Sequence, residues 1–322
     1  TRLRAMPRQT RPARVRRTVL AVPGSSDRFI AKARDLRVDA LFLDLEDAVA
    51  PAVKEKSRRR IVGALTSGEG FAAPTVTVRV NDWSSPWTFR DVTEVVLGAG
   101  AHIDCLVLPK VTSAAQVVAL DLLLGQVEQE AGLPVGGIGL EVQIEDAVGL
   151  VHVNAIAGAS DRLESLVFGP GDFMASLGMG GLNVGAQPAG YPADAFHHVL
   201  VSILVAARAH GLQAIDGPFV AIRDVAGFEA SAALSAALGY DGKWVLHPAQ
   251  VEAGNAAYSP RVEDYERARR IMDAYAEATS LSGGARGAIV VDDEMVDEAG
   301  VKLAAAILAR GQAAGMGAGR ES

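Results

Sequence analysis

The chain has 322 residues, which is enough for one large α/β domain or two smaller ones. Hydrophobic residues make up 49% of it, but no apolar stretch approaches the roughly 20 residues that span a bilayer, so we expect no membrane partner. A formal net charge of -7 argues against nucleic acid as a partner, because phosphate binding relies on dense Lys and Arg.

Residues 1–16 are rich in arginine, contain no acidic residue and are interrupted by Pro7 and Pro12, so we expect a disordered basic tail. An organelle-import peptide is also rich in arginine, but it usually contains many serines, so a cytoplasmic location is favoured and import is the alternative. Cys105 is the only cysteine, which rules out an intrachain disulfide and suits a reducing compartment. Its apolar neighbours indicate a buried thiol.

Eight short β-rich runs come next, and each ends in a turn signal and is followed by a helical pattern. They are Thr18–Val22, Ala40–Leu45, Thr75–Val80, Leu106–Leu108, Leu140–Ile144, Ser165–Phe168, Ala214–Ile215 and Lys243–Leu246. Strand then helix, eight times, predicts a (β/α)8 TIM barrel over residues 17–258. The alternative is an open doubly wound sheet, but the first strand lacks the G-x-G-x-x-G turn of such folds.

A C-terminal extension follows the barrel over residues 259–310. An amphipathic pattern predicts a helix over Pro260–Ala278, the glycine-rich Ser282–Gly284 predicts a flexible link, and a short tail element follows at Ala288–Ala309. Residues 311–322 are rich in glycine and alanine, which predicts a disordered end.

Barrel enzymes carry their chemistry at the carboxyl ends of the strands, so the polar residues there are the candidates for a site. Glu145 follows the fifth strand and Asp172 follows the sixth, which places two carboxylates side by side. Mg²⁺ prefers oxygen ligands, keeps several waters and is usually held by one or two protein carboxylates. The residues therefore predict a Mg²⁺ site, while a role as helix caps beside Gly149 and Gly171 stays open.

Arg79 lies at the end of the third strand between two valines, so its guanidinium is expected to point into the barrel. There it could bind a substrate carboxylate, stabilise an oxyanion, or form a structural salt bridge with Glu46 or Asp47. Glu141 would lie deeper in the barrel, with Lys110 as a plausible partner. For Lys110 itself, charge pairing is favoured over a Schiff base.

The turn from Pro23 through Gly24 and Ser25 leads into a helix that carries Arg28 and Lys32 one turn apart. A helix N-terminus attracts phosphate, so this segment is a candidate phosphate site. A solvated basic face would have the same sequence, and both interpretations stay open.

Seven motifs in chain order carry a resemblance that spans about Arg17 to Leu303. They are Val22–Ser25, Leu43–Val49, Val78–Asn81, Leu108–Lys110, Ile144–Glu145, Gly169–Phe173 and Gly242–Gln250. With them the chain resembles the citrate lyase beta subunit and malyl-CoA lyase family of the aldolase superfamily. Ala214–Phe219 and the strand with Trp244 look most like malyl-CoA and β-methylmalyl-CoA lyases, whereas Phe196–His198 departs from that branch.

This resemblance implies a metal centre in which Glu145 and Asp172 bind Mg²⁺, with Mn²⁺ as a substitute. It also implies that the substrate contacts Arg79, Glu46, Asp47 and Gly171, and that CoA contacts Pro23, Gly24, Ser25, Arg28, Lys32, His247 and Pro248. Asp297 would act as the catalytic acid/base from the C-terminal element of an adjacent subunit. An oligomer, a homotrimer or a dimer of trimers, follows from that arrangement.

The activity implied is a reversible carbon–carbon cleavage of a malyl-CoA-like thioester to acetyl- or propionyl-CoA plus glyoxylate. Its partners would be small molecules, a CoA thioester and a 2-oxo acid. Alternatives are a citramalyl-CoA or citryl-CoA lyase, a class II aldolase acting on free 2-oxo acids without CoA, and a subunit of a larger lyase complex.

Overall fold

The computed structural model describes residues 14–280 and 287–317. The chain divides into two compact units, the first ending at Tyr258 and the second starting at Ser259. Within the described ranges, none of the helices has the length and apolar character needed to cross a membrane.

The first unit is built on eight parallel strands that pair in chain order, with the eighth strand closing onto the first. The strands are β1 Thr18–Pro23, β2 Ala40–Asp44, β3 Thr75–Arg79, β4 Cys105–Leu108, β5 Gly139–Ile144, β6 Leu163–Phe168, β7 Gln213–Asp216 and β8 Gly242–Val245. The closed barrel confirms the predicted fold.

Helices connect the strands around the outside of the barrel. They are α1 Asp27–Ala33, α2 Lys54–Thr66, α3 Thr88–Ala99, α4 Ala114–Glu130, α5 Ala147–Val151, α6 Val153–Ala157, α7 Pro170–Ser176, α8 His197–Ala209, α9 Val225–Leu238 and α10 Val251–Ala257. Short 3-10 turns occur at Pro51–Val53, Gly100–His102 and Pro248–Gln250.

The strands are buried on both faces, which is why most of their sequences are nearly continuous apolar runs. One set of side chains points outward and packs against the helices in the main core. The alternate set fills the barrel interior and includes Phe42, Val107, Val167, Ile215 and Trp244. Side chains that alternate along each strand thus divide into an outer and an inner core.

The start of the barrel corrects the predicted N-terminal tail. Arg16 is buried, and it donates to Glu141 at 2.9 Å and to Glu164 at 2.6 Å. Arg14 bonds Asp104 at 2.6 Å. The prediction of disorder was therefore wrong for residues 14–16, because buried carboxylates at the strand starts need cationic partners. Residues 1–13 lie outside the described ranges.

The same ion pairs correct the partner predicted for Glu141. Its carboxylate is paired with Arg16, and the ammonium of Lys110 instead contacts Glu46 and Asp47. The fifth strand places Glu141 near its start, whereas Lys110 follows the end of β4, so the two side chains belong to opposite ends of the barrel.

The second unit contains helix α11 Val262–Thr279, the antiparallel hairpin of β9 Ile289–Val291 and β10 Glu294–Val296, and helix α12 Glu298–Ala313. The predicted helix and tail element are both present. Helix α12 runs past residue 310 to Ala313, so predicted disorder was wrong for residues 311–313, where buried Gly311 packs against the Tyr265 ring. Residues 318–322 and the predicted link at Ser282–Gly284 lie outside the described ranges.

Candidate active site

Two carboxylates meet where neighbouring strands β5 and β6 end. Glu145 directly follows β5, and Asp172 lies in the first turn of α7, which begins just after β6. Glu145 is buried, and its carboxylate accepts hydrogen bonds from the Lys110 backbone N–H at 2.7 Å and from Gln143 Nε2 at 3.0 Å. A Cβ on Gly169 would lie 2.2 Å from Glu145 Oε2, so a glycine is needed there.

The electrostatics of this pair favour a cation. Burial raises the pKa of Glu145 to about 8, with Arg79 opposing the rise and the Asp172 charge adding to it. Burial also raises the pKa of Asp172, although the Lys110 charge opposes that rise. Two adjacent carboxylates that resist ionisation are stabilised as anions when a divalent cation binds between them.

The donor set also discriminates between metals. Within residues 14–280 and 287–317, no group of three or more His, Cys, Asp or Glu side chains is arranged to hold a metal ion. A site of Zn²⁺ type, which draws on three or four protein ligands, is therefore not formed by these residues. Two carboxylates suit Mg²⁺, which keeps several waters and is usually held by only one or two protein carboxylates.

Arg79 points into the barrel from the end of β3, as the sequence predicted. Its guanidinium makes a two-pronged contact with Asp44, at 2.8 and 2.7 Å, and contacts Glu46 at 3.0 Å and Gln143 at 3.3 Å. Despite desolvation, the Asp44 carboxylate raises the pKa of Arg79, so the guanidinium stays charged. A guanidinium has five N–H groups, and these four contacts use four of them, so one donor is left for a substrate oxygen.

Aromatic rings lie beneath this guanidinium. The centre of the Arg79 guanidinium lies 5.4 Å from the ring of Phe42 and 5.4 Å from that of Trp244, and these two rings are 4.2 Å apart. Stacking on aromatic faces and the bond to Asp44 together hold the planar group in one orientation. The structural salt bridge left open for Arg79 is thus present, to Asp44 and Glu46, without excluding a substrate contact.

Glu46 and Asp47 belong to the loop that follows β2. The ammonium of Lys110 contacts Glu46 at 2.5 Å and Asp47 at 3.1 Å, and Glu46 shares its other oxygen with Arg79. Burial raises the pKa of Glu46, while its pairing with Arg79 and Lys110 opposes the rise. Glu46 is buried and forms ion pairs with both cations, whereas the side chain of Asp47 is more than half exposed and accessible to a ligand.

A buried network that the sequence did not reveal supports this loop from behind. Lys54, the first residue of α2, donates to the carbonyl oxygens of Leu45 and Glu46 and to the side chain of Asn81. Asn81 in turn donates to Asp91, which accepts from an arginine of α2. Burial lowers the pKa of Lys54, and its three acceptors fix the backbone that presents Glu46 and Asp47.

Four of the residues predicted to contact CoA line one cavity of about 310 Å³ at the ends of β1 and β8. They are Pro23, Lys32, His247 and Pro248. Apolar side chains such as Leu36 and Phe29 line the rest, and Phe29 is 43% exposed. The cavity also touches Asp44, which binds Arg79, so it adjoins the carboxylate site.

The other predicted CoA contacts lie beside this cavity. Gly24 is required by packing, because a Cβ there would lie 2.6 Å from the carbonyl oxygen of Asp44. Ser25 is half-buried, and Arg28 is exposed with its guanidinium over the Phe29 ring. Among the predicted substrate contacts, Gly171 has room for a Cβ near Val184, so its position does not demand a glycine.

Asp297 lies in the second unit, where it is exposed and caps helix α12. Its carboxylate accepts hydrogen bonds from the backbone N–H groups of Ala299 and Gly300. The adjacent Val296 is buried in the core of this unit, while Met295 is 76% exposed. The proposed role of Asp297 in a neighbouring subunit stays a prediction.

Asp44 and Gln143 were given no role by the sequence. Asp44 pairs in register with Arg79 across β2 and β3, and two-residue periodicity from the inward Phe42 would have predicted its direction. The same periodicity from Glu145 predicts that Gln143 points inward. Nothing in the sequence indicated the left-handed backbone of Lys110, which directs its N–H to Glu145.

The chain is similar to known proteins in sequence and in structure. The family model described as HpcH/HpaI aldolase/citrate lyase matches residues 17–248. An L-malyl-CoA/beta-methylmalyl-CoA lyase of Rhodobacter capsulatus is 36% identical, and the alignment covers 94% of this chain and 96% of that protein. A citrate lyase subunit beta of Escherichia coli is 32% identical, with 96% of this chain and 97% of that protein covered.

A solved structure is also similar over nearly the whole chain. The CitE protein of Mycobacterium tuberculosis, crystallised with magnesium, acetoacetate and coenzyme A, aligns with a TM-score of 0.70 at 30% identity. The alignment covers 92% of this chain and 97% of that one. These findings confirm the resemblance carried by the seven motifs. The chain belongs to the HpcH/HpaI aldolase/citrate lyase family.

Proposed function

We propose that this protein is a Mg²⁺-dependent lyase that reversibly cleaves a malyl-CoA-like thioester to acetyl- or propionyl-CoA and glyoxylate. The observation that carries the proposal is the convergence of Glu145 and Asp172 next to Arg79, beside an apolar cavity bounded by β1 and β8. The 36% identity to an L-malyl-CoA/beta-methylmalyl-CoA lyase over 94% of the chain supports the choice of substrate.

The metal fits the residues present. Glu145 is held by two hydrogen bonds over Gly169 and its pKa is raised toward 8, so its carboxylate is positioned to gain from a cation. Glu145 and Asp172 would hold Mg²⁺, or Mn²⁺ in its place. When bound, such an ion polarises the carbonyl of the 2-oxo acid and neutralises charge that develops on its oxygen.

Arg79 and the residues around it supply fixed positive charge. Its remaining N–H can donate to an oxygen of the 2-oxo acid or to the thioester oxygen as that oxygen becomes enolate-like. Because Asp44 and the two aromatic rings fix the guanidinium beforehand, little reorganisation is needed when this charge forms. Asp47, Glu46 and Gly171 remain the candidates for further substrate contacts.

The cavity between β1 and β8 is the proposed site for CoA. Its apolar wall suits the pantetheine chain, and Lys32 at its edge offers a cation to the phosphates. Pro23, His247 and Pro248 also line the cavity. Gly24, Ser25 and Arg28, which follow Pro23 in the sequence, are the remaining candidate CoA contacts. The thioester end of the chain would then lie next to Asp44 and Arg79.

We propose further that Asp297 of one subunit serves the barrel of another. It would remove a proton from the carbon next to the thioester carbonyl in synthesis and return it in cleavage. This arrangement requires an oligomer, and a homotrimer or a dimer of trimers is the form we expect. A cytoplasmic location also stays a prediction.

One incubation tests the proposed substrate. Purified protein with Mg²⁺ is given malyl-, methylmalyl-, citramalyl- and citryl-CoA in parallel, and the products are identified by mass spectrometry. We expect glyoxylate from the first two, with acetyl-CoA and propionyl-CoA respectively. Cleavage of citramalyl- or citryl-CoA alone would support the alternative that the 32% identity to citrate lyase subunit beta raises. Cleavage of free 2-oxo acid aldols without CoA would favour a class II aldolase.

The acid/base proposal has its own test in an Asp297→Asn variant. A positioned general base is typically worth about 10²–10⁴ in rate, so kcat should fall by roughly that factor. Mg²⁺ affinity should be unchanged, because the substitution leaves the barrel intact. A matched Asp293→Asn variant, in the nearby turn between β9 and β10, should retain activity. Near-normal kcat in Asp297→Asn would rule out this role.

A further inference from the structure

Lys110 is the residue on which the carboxylates of the site converge. Its backbone N–H donates to Glu145 at 2.7 Å, and its ammonium contacts Glu46 at 2.5 Å and Asp47 at 3.1 Å. One residue therefore contacts the proposed metal ligand Glu145 and both acids of the β2 loop.

The backbone of Lys110 is in the left-handed region, with φ of 53°. Of the other non-glycine residues in the described part of the chain, only Asp292 and Asp293 share a positive φ, and they form the turn between β9 and β10. Side chains with a Cβ are disfavoured in this region, and such residues persist where surrounding structure holds them. At Lys110 the unusual conformation turns the N–H toward Glu145.

We infer that Lys110 is a positioning residue with two separable roles, a conclusion that rests on the proposed function. Its left-handed backbone lets its N–H orient the carboxylate of Glu145, which would hold the metal. Its ammonium holds Glu46 so that this carboxylate is shared between Lys110 and Arg79, which keeps Arg79 in position for the 2-oxo acid. The first role concerns metal affinity, and the second concerns the oxo acid.

The two roles of Lys110 should have opposite effects on Mg²⁺ affinity. The ammonium contacts Glu46 and Asp47 at the same strand ends that carry Glu145 and Asp172, so its positive charge opposes the binding of a cation there even as it orders Glu46 and Asp47. Removing the ammonium alone should leave Mg²⁺ binding as tight as in the unaltered protein, or tighter. Disturbing the backbone should weaken it, because the orienting partner of a ligand is typically worth 10–100-fold in metal affinity.

Substitutions at position 110 can separate the two roles. Lys110→Gly keeps the left-handed backbone without strain and removes the ammonium. Lys110→Val removes the same charge but strongly disfavours that backbone, because its side chain is β-branched. Lys110→Ala is a milder version of the valine variant in case the latter does not fold, and Lys110→Arg restores the charge.

The first measurement is Mg²⁺ binding to the metal-free protein by titration calorimetry. We expect Lys110→Gly to bind at least as tightly as the unaltered protein, and Lys110→Val to bind about tenfold or more weakly than Lys110→Gly, with Lys110→Ala between them. Equal affinity of the folded glycine, alanine and valine variants would overturn the backbone role. An unaltered protein that binds no Mg²⁺ would instead overturn the proposed function itself.

The second measurement is steady-state kinetics in the synthetic direction. Lys110→Gly should raise the KM for glyoxylate by roughly tenfold, the loss expected for charge-assisted contacts, with a smaller change in the KM for acetyl-CoA. Lys110→Arg should recover most of this loss. An unchanged KM for glyoxylate in Lys110→Gly, or failure of the arginine variant to recover, would overturn the role of the ammonium.

Discussion

The two ends of this barrel both contain buried charge, but they balance it differently. At the end where the strands start, Arg16 is paired with Glu141 and Glu164, and Arg14 adds a further cation. At the end where the strands finish, Asp44, Glu46, Asp47, Glu145 and Asp172 face Arg79 and Lys110. Among the described residues of these two clusters, the first sets two arginines against three acids, Glu141, Glu164 and Asp104, and is close to balance, whereas the second sets five acids against two cations.

This difference separates stability from function. Buried ion pairs whose partners satisfy each other hold the strand starts together, and losing one partner leaves an uncompensated charge. At the other end, burial raises the pKa of Glu145 to about 8, the Asp172 charge adds to the rise, and a cation that the chain itself does not supply would oppose it. In a barrel, the strand-start end thus contributes stability and the strand-finish end contributes chemistry.

The largest effect should come from Glu145→Gln at the acidic end. A bound metal supplies several kcal/mol of transition-state stabilisation, and each ~1.4 kcal/mol is a factor of ten in rate, so kcat/KM should fall by about 10³-fold or more. Mg²⁺ binding should be lost as well, while the metal-free protein should unfold at no lower temperature. Steady-state kinetics and thermal unfolding measure both. A stable variant with normal kcat/KM would contradict the metal assignment.

At the end where the strands start, Arg16→Met should lower stability and leave activity unchanged, which is the opposite of the effect of Glu145→Gln. Two buried carboxylates would lose their shared cation, so the free energy of unfolding should fall by roughly 3–5 kcal/mol, as measured by denaturant titration. Activity per folded molecule should stay normal. Glu141→Gln, on β5 four residues before Glu145, is the matched control, and it should destabilise less because Arg16 keeps Glu164. Loss of kcat in folded Arg16→Met would contradict the claim that the strand-start end contributes stability and not chemistry.

A smaller effect is expected from pH on the metal-free protein. The folded pKa of Glu145 is about 8 and the unfolded value is about 4.3, so between these values the native state holds a proton that the unfolded state has released. Stability due to this group is therefore present at low pH and is lost as the pH rises, at no more than about 1.4 kcal/mol per unit. Thermal unfolding in chelator at pH 5 to 8 measures it.

The control for this pH dependence is Glu145→Gln, which cannot ionise. The unfolding temperature of the unaltered protein should fall relative to this variant as the pH increases through that window. Parallel curves would mean that Glu145 is already ionised at pH 5 in the metal-free protein.

The sequence predicted much of this arrangement, because local pattern carries it. Eight strand-and-turn signals were enough to predict the barrel. An acid just after a strand was enough to predict that Glu145 and Asp172 lie at the carboxyl ends of neighbouring strands. Contacts between residues distant in sequence were not predictable in the same way. Arg16 lies 125 residues from Glu141, and its role depends on which side chains the closed barrel brings together.

Lys54 and Lys110 illustrate the same limit at the acidic end. A lysine at the start of a helix normally indicates a solvated position, yet Lys54 is buried because two carbonyl oxygens and Asn81 accept its hydrogen bonds. The positive φ of Lys110 depends on the partner that its N–H finds on the next strand. Both are properties of the folded barrel that no local pattern encodes.

The claim that an excess of carboxylates forms the metal site of a thioester lyase is tested most directly by restoring Mg²⁺ to chelator-treated protein in the presence of malyl-CoA. We predict no glyoxylate in the chelator alone, and glyoxylate with acetyl-CoA at a rate that rises with added Mg²⁺ and then saturates. Cleavage of malyl-CoA at an undiminished rate in excess chelator would contradict the claim.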